Sequence, residues 1–249
     1  MAVEKKRTRE VTNITEFLKV LADFQTDTSW VFRGQPTDKP LLPKVAREAP
    51  GTDGVEKEKL ILREFERRIQ AFGHSSCKND WELLSLAQHF GLPTRMLDWS
   101  RSALAALWFA CRKANENRKE KSVVWALQLK EADYLDVRAK ESPFEISSTK
   151  FFEPMHVSNR ISAQEGLFSV HKYAPSAKKF VGIDSNPAYS GRLVKVTIAP
   201  GHCDRVIENL EKCGTHAASM FPDMYGLAEF LSGKYKFSAR SEEFERRAK

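Results

Sequence analysis

No apolar run in the sequence approaches the roughly 20 residues that a membrane-crossing helix needs, so no membrane partner is expected. Cysteine is scarce, and the four that occur (Cys77, Cys111, Cys203 and Cys213) are too scattered for a disulfide framework. Met1 to Glu10 are charged with no apolar segment behind them, so no secretory signal is expected and the cytoplasmic compartment is the expectation. The common catalytic signatures are also missing. Without GxGxxG, or GxxxxGK followed by Ser or Thr, neither usual phosphate-cradling loop is present. There is no HExxH and no CxxC, and His202-Cys203 and Cys213 lack ligand spacing, so no metal site is expected. Ser147 to Lys150 fits S-x-x-K, but its companion motifs are absent, as is GxSxG.

What remains suffices for a folded core. Of 249 residues, 41% are hydrophobic and 10% aromatic, which suits one large domain. The formal charge is +7, from 40 basic and 33 acidic residues. Such an excess can draw nucleic acid, anionic lipid or a phosphorylated small molecule. Most basic residues stand beside Glu or Asp, however, which reads as solvated helix faces.

Residue patterning predicts a disordered lead-in over 1–11, a domain over 12–232 and a charged tail over 233–249. Asn13 with Glu16 forms a capping box for a helix whose inner face carries Ile14, Phe17, Leu18, Leu21 and Phe24. Trp30-Val31-Phe32 reads as a short strand ending at Gly34-Gln35-Pro36, and Pro36 to Pro50 as an irregular loop. A charged helix spans 55–72, and a second, capped by Asp80, stops at Gly91. Leu92 to Trp99 reads as loop. The stretch Ala103 to Cys111 is apolar nearly all round, which predicts a buried central helix. Strand-like runs follow at 123–129, 180–183 and 193–198, with another expected within 160–170, then helices near 203–212 and 223–232. Helices mainly in the N-terminal half with a mixed sheet, and no βαβ alternation, predict a single α+β domain.

Three segments concentrate polar groups among residues that must be buried. Arg33 follows an apolar strand and precedes Gly34, an arrangement suited to holding a phosphate or carboxylate; pairing with a buried carboxylate is the plainer alternative. The run Gln88 to Ser100 interleaves His89, Thr94, Arg95, Asp98 and Ser100 with apolar residues, so these groups should form one network. Asp98 pairs there with Arg95 or orients Arg33. His89 at a helix end is more often a cap than a base, and Trp99 more often packs in a core than stacks on a nucleobase. In Asn159 to His171, Gln164-Glu165-Gly166 interrupts a strand-like run, as a bulge that re-aims side chains does.

Together these segments resemble the FRG domain family, in Phe32-Arg33-Gly34, in Gln88 to Arg95 with Leu97-Asp98-Trp99, in Arg160-Ile161 with Gln164, Gly166 and Phe168, and in Ser219 to Asp223 with Gly226 to Ala228. The order of these motifs is similar to that of ADP-ribosyltransferases. The resemblance implies an ADP-ribosyltransferase-like fold and a nucleotide-binding site for NAD, with no metal. Arg33, Gly34, Gln35, His89, Thr94, Arg95, Trp99 and Ser100 would bind the cofactor. Asp98, Glu165 or Gln164 would supply the catalytic polar group, and the acceptor would be a protein or a nucleic acid. FRG proteins occur in bacteria and their phages, which implies a defence or toxin role. A non-catalytic module binding nucleic acid or protein is the rival expectation.

Overall fold

The computed structural model describes residues 7–26, 28–49, 52–72, 77, 79–113, 120–135, 141–154 and 159–235. The chain runs β1 (Arg7–Val11), α1 (Ile14–Ala22), β2 (Ser29–Gln35), α2 (Lys44–Glu48), α3 (Thr52–Ile69), α4 (Asp80–His89), β3 (Met96–Ser100), α5 (Ala103–Cys111) and β4 (Ser122–Leu129). It continues through β5 (Lys150–Phe152), α6 (Asn159–Ala163), β6 (Gly166–Val170), β7 (Tyr173–Ala174), β8 (Lys179–Phe180), α7 (Pro187–Ser190), β9 (Leu193–Ile198), α8 (Cys203–Lys212), α9 (Ala217–Met220) and α10 (Met224–Lys234). Seven strands form one sheet in the order β1-β9-β4-β2-β3-β6-β5, with β1 parallel to β9 and the remaining pairs antiparallel. The fold is a single α+β domain with a mixed sheet. No helix among the described residues is long and apolar enough to cross a membrane.

Local signals in the sequence explain most of these elements. Asn13 accepts the Glu16 amide at 2.9 Å, and Glu16 reaches back to the Thr12 amide at 2.8 Å, closing the first turn of α1 reciprocally. Asn79, one residue before the expected cap, accepts the Glu82 amide at the start of α4. Gly91 ends that helix at φ 81°, a backbone conformation that costs glycine little. Ser102 caps α5, whose apolar surface is buried almost throughout.

Several expectations are corrected. Arg7–Val11, assigned to a disordered lead-in, is an edge strand laddered to Leu193–Ile198 through main-chain bonds; among its side chains Val11 enters the core. Residues 1–6 and 236–249 lie outside the described residues, and the expected tail begins inside α10. The stretch read as loop, Leu92 to Trp99, holds most of β3, and α2 interrupts the proline-rich loop. Gln164-Glu165-Gly166 is no bulge: it is the turn from α6 into β6, with Glu165 at φ 46°.

The helices of one sheet face fall into two groups. Beneath α1, α5 and α8, one core gathers Phe17, Phe32, Trp108, Val124, Val196 and Leu210. Beneath α3 and α4, a second gathers Leu62, Leu84, Met96, Phe168 and Val170. A third core, with Val31, Trp99, Trp125 and Phe151, fills the opposite face. The boundary between the two helical groups falls where β2 meets β3.

Candidate functional site

Strands β2 and β3 share a ladder only at Phe32 and Ser100, whereas β2 pairs with β4 along its whole length. Continued in register, the ladder would set Gly34 against Asp98. Instead the strands part, and Arg33 bridges the gap: its Nη1 donates to the Asp98 carbonyl at 2.6 Å and lies 3.7 Å from Asp98 Oδ2. The guanidinium thus satisfies a main-chain acceptor that the broken ladder leaves open. A cavity of about 640 Å³ occupies the opening, within the size range of small-molecule sites.

Gly34 has a mechanical role at this split. A Cβ built there would lie 1.9 Å from the Ala106 carbonyl oxygen and 2.6 Å from the Ala110 nitrogen, so only glycine lets α5 pack against the strand. That close approach brings Ala106 and Phe109 to the cavity wall. Gln35, two residues from Arg33, is buried and accepts from Trp125 Nε1 at 3.0 Å, away from the cavity.

Asp98 projects into the opening from β3 and is held by a relay. The Met96 amide donates to Thr94 Oγ1 at 3.1 Å, Thr94 Oγ1 donates to Gln88 Oε1 at 2.5 Å, and Gln88 Nε2 donates to Asp98 Oδ2 at 3.0 Å. Because the Thr94 hydroxyl already accepts the Met96 amide, its proton is free for Gln88, and that orients the Gln88 NH₂ toward the carboxylate. Among the described residues Asp98 is the single carboxylate lining the cavity, against Arg33, Lys44, Arg47 and Arg160. Lys44 Nζ donates to the Gly91 carbonyl at 2.8 Å and Arg47 Nη1 to the Leu42 carbonyl at 2.7 Å. Burial is the main influence weakening the protonated forms of Arg33, Arg47 and Arg160, with Asp98 opposing it in each case. His89 also lines the cavity; burial and then Arg160 lower its imidazole from the ordinary value, which favours the neutral ring at physiological pH.

Of the residues singled out in the sequence, Arg33, Gly34, His89, Asp98, Trp99, Ser100 and Gln164 border the cavity, and Thr94 reaches it through Gln88. Several side chains, some of them on the cavity border, are committed to other partners. Arg95 is fully buried and bonded to buried Glu58 through Nε at 2.9 Å, Nη2 at 2.7 Å and its own amide at 2.6 Å, tying α3 to the start of β3. Of the two pairings open to Asp98, therefore, the one with Arg33 forms. The Trp99 ring packs on the far face against Phe151, its Nε1 donating to Ser169 Oγ. Ser100 donates to the Gln164 carbonyl at 2.6 Å and accepts the Ser102 amide, joining β3, α5 and α6. The Gln164 amide donates to the Met220 carbonyl at 2.8 Å, and Glu165 is exposed and does not line the cavity.

Lys44, Arg47, Gln88, Phe109 and Arg160 also line the wall and were not singled out as site residues. Gln88 and Arg160 lie inside motif segments. Lys44 and Arg47 stand in a stretch read as irregular, where no periodicity places a side chain.

No curated protein and no solved structure matches the chain. The family model of the FRG domain matches residues 28–119, which hold β2, α4, β3 and α5 together with Arg33, Gln88 and Asp98; this part of the chain is an FRG domain.

Proposed function

We propose that the cleft between β2 and β3 binds NAD and that the protein transfers or hydrolyses its ADP-ribose portion. The observation that carries this reading is the charge pattern of the cavity, in which, among the described residues, four basic side chains surround one oriented carboxylate. The basic groups suit a diphosphate, and Phe32, Phe90, Leu92 and Phe109 offer apolar wall to a base or sugar. Asp98 would face the ribose carbon bonded to nicotinamide. Cleavage of that C–N bond sends its electron pair to nicotinamide, which leaves neutral, while positive charge develops on the sugar. A fixed carboxylate stabilises that oxocarbenium-like state. Water or an acceptor hydroxyl then forms the new C–O bond and releases its proton. With the Gln164 amide engaged by Met220 and Glu165 outside the cavity, this reading gives the acidic role to Asp98.

Incubation of the purified protein with NAD, with released nicotinamide measured by chromatography, tests the proposal. Release abolished by Asp98→Ala supports it. NAD left intact by the folded wild type, with and without protein or nucleic-acid acceptors, rejects the catalytic part. The cluster of basic groups leaves a binding module as the second reading, which predicts affinity for nucleic acid that falls steeply with salt.

A further inference from the structure

Arg160 and Arg112 both stack on the ring of Phe221, their guanidinium carbons 4.3 and 4.8 Å from its centroid. Of the two, only Arg112 forms an ion pair with a carboxylate among the described residues. Arg112 Nη2 binds both oxygens of Glu229, at 3.0 and 3.2 Å. Arg160 enters the cavity from α6, and among the described residues its guanidinium has no hydrogen bond and no ion pair. Stacking occupies the face of a guanidinium and leaves its in-plane N–H groups free. A half-buried cation held over an aromatic ring at a cavity wall, with no hydrogen-bond partner among the described residues, is prepared for an anion.

The other basic side chains enter from elsewhere. Arg33 comes from β2, and Lys44 and Arg47 from α2. Arg33 also keeps a buried Nε without a partner. The cavity therefore presents basic side chains from two directions, one set from β2 and α2 and one from α6. We propose that the ligand carries two anionic groups, and that Arg160, stacked on Phe221, is the binding residue for the second while Arg33, Lys44 and Arg47 take the first. The proposal rests on the cleft being the ligand site and adds the residue that holds the second anion, so that a nucleoside diphosphate derivative is preferred to a monophosphate.

Calorimetric titration of the full chain with ADP-ribose, which has two phosphates, and with AMP, which has one, tests this. The wild type is expected to bind ADP-ribose at least tenfold more tightly than AMP. Arg160→Gln should lose roughly tenfold in ADP-ribose affinity, as one charge-assisted contact is worth, and leave AMP affinity within about twofold. Arg33→Ala should weaken both ligands. Arg160→Lys keeps the charge without the planar fork and should fall between wild type and Arg160→Gln; it also stands in if the Gln variant fails to melt cooperatively. Equal ADP-ribose affinity of wild type and Arg160→Gln, alongside a weakened Arg33→Ala, would overturn the role of Arg160 and leave the cleft reading intact. Equal affinity of the wild type for the two ligands would overturn the second anion position, and no binding of either would overturn both readings.

Discussion

Gln88 and Asp98 are joined by a hydrogen bond of 3.0 Å from amide nitrogen to carboxylate, so the last turn of α4 holds an acid borne by β3. On the proposed function Gln88 is a positioning residue. Gln88→Ala should lower the rate of nicotinamide release by about tenfold while leaving the KM for NAD within about twofold, because the phosphates bind elsewhere. Thr94→Val should act in the same direction and Thr94→Ser should restore the rate. A rise in KM with unchanged kcat would contradict the assignment.

The split beside Arg33 depends on Gly34. Replacing it by Ala drives a methyl group into the Ala106 carbonyl, a backbone atom that cannot move without shifting α5. Gly34→Ala should therefore destabilise the fold by about 3 kcal/mol, the upper part of the range for overpacked sites. Urea unfolding followed by circular dichroism reads the loss; an unchanged midpoint would contradict the close packing of α5 on β2.

Arg95 and Glu58 form an ion pair at 2.7 Å with both side chains fully buried. Removing one partner leaves an unpaired charge in the interior. Glu58→Gln should cost roughly 3–5 kcal/mol, and Arg95→Met with Glu58→Leu should recover most of that loss. Thermal melts of the single and double variants distinguish this from a ligand-binding role for Arg95, which would lower affinity with little change in stability.

His171 supplies a pH dependence. Fully buried, it is bonded to Ser169 Oγ at 3.2 Å and the Val181 carbonyl at 3.1 Å, and burial lowers its imidazole from the ordinary 6.5 to about 4. The Val181 carbonyl must accept, so Nδ1 carries the proton and Nε2 accepts from Ser169. The folded value lies below the unfolded one, so this stability is full above pH 6.5 and falls as pH drops from there through about 4. The shift corresponds to roughly 3 kcal/mol. His171→Gln should flatten the stability profile between those pH values; a profile as steep as that of the wild type would exclude His171 as its source.

Legibility in the sequence followed the range of the forces involved. Asn13, Ser102 and Gly91 act within a turn of their own position, and the helices they cap were readable directly. The apolar stretch of α5 likewise announced its burial. Strand β1 was missed because four of its five residues are polar or charged and its partner β9 lies far along the chain. Strand β3 was missed because Asp98 and the preceding Pro93-Thr94 read as turn chemistry, while its neighbours β2 and β6 lie far off in sequence. For the site, polar residues among apolar ones marked the right segments. Which of them face the cleft depended on strand parity and distant partners: Arg95 turns to Glu58 on α3, Trp99 to the opposite face, and Gln164 to Met220.

The most direct test of the central claim is calorimetric titration of the purified protein with NAD, run beside Arg33→Ala after both are shown to be folded and monodisperse. The account predicts saturable binding by the wild type and its loss, by at least tenfold, in Arg33→Ala. Absence of binding by the wild type, or equal binding by both proteins, would contradict an NAD site in the cleft between β2 and β3.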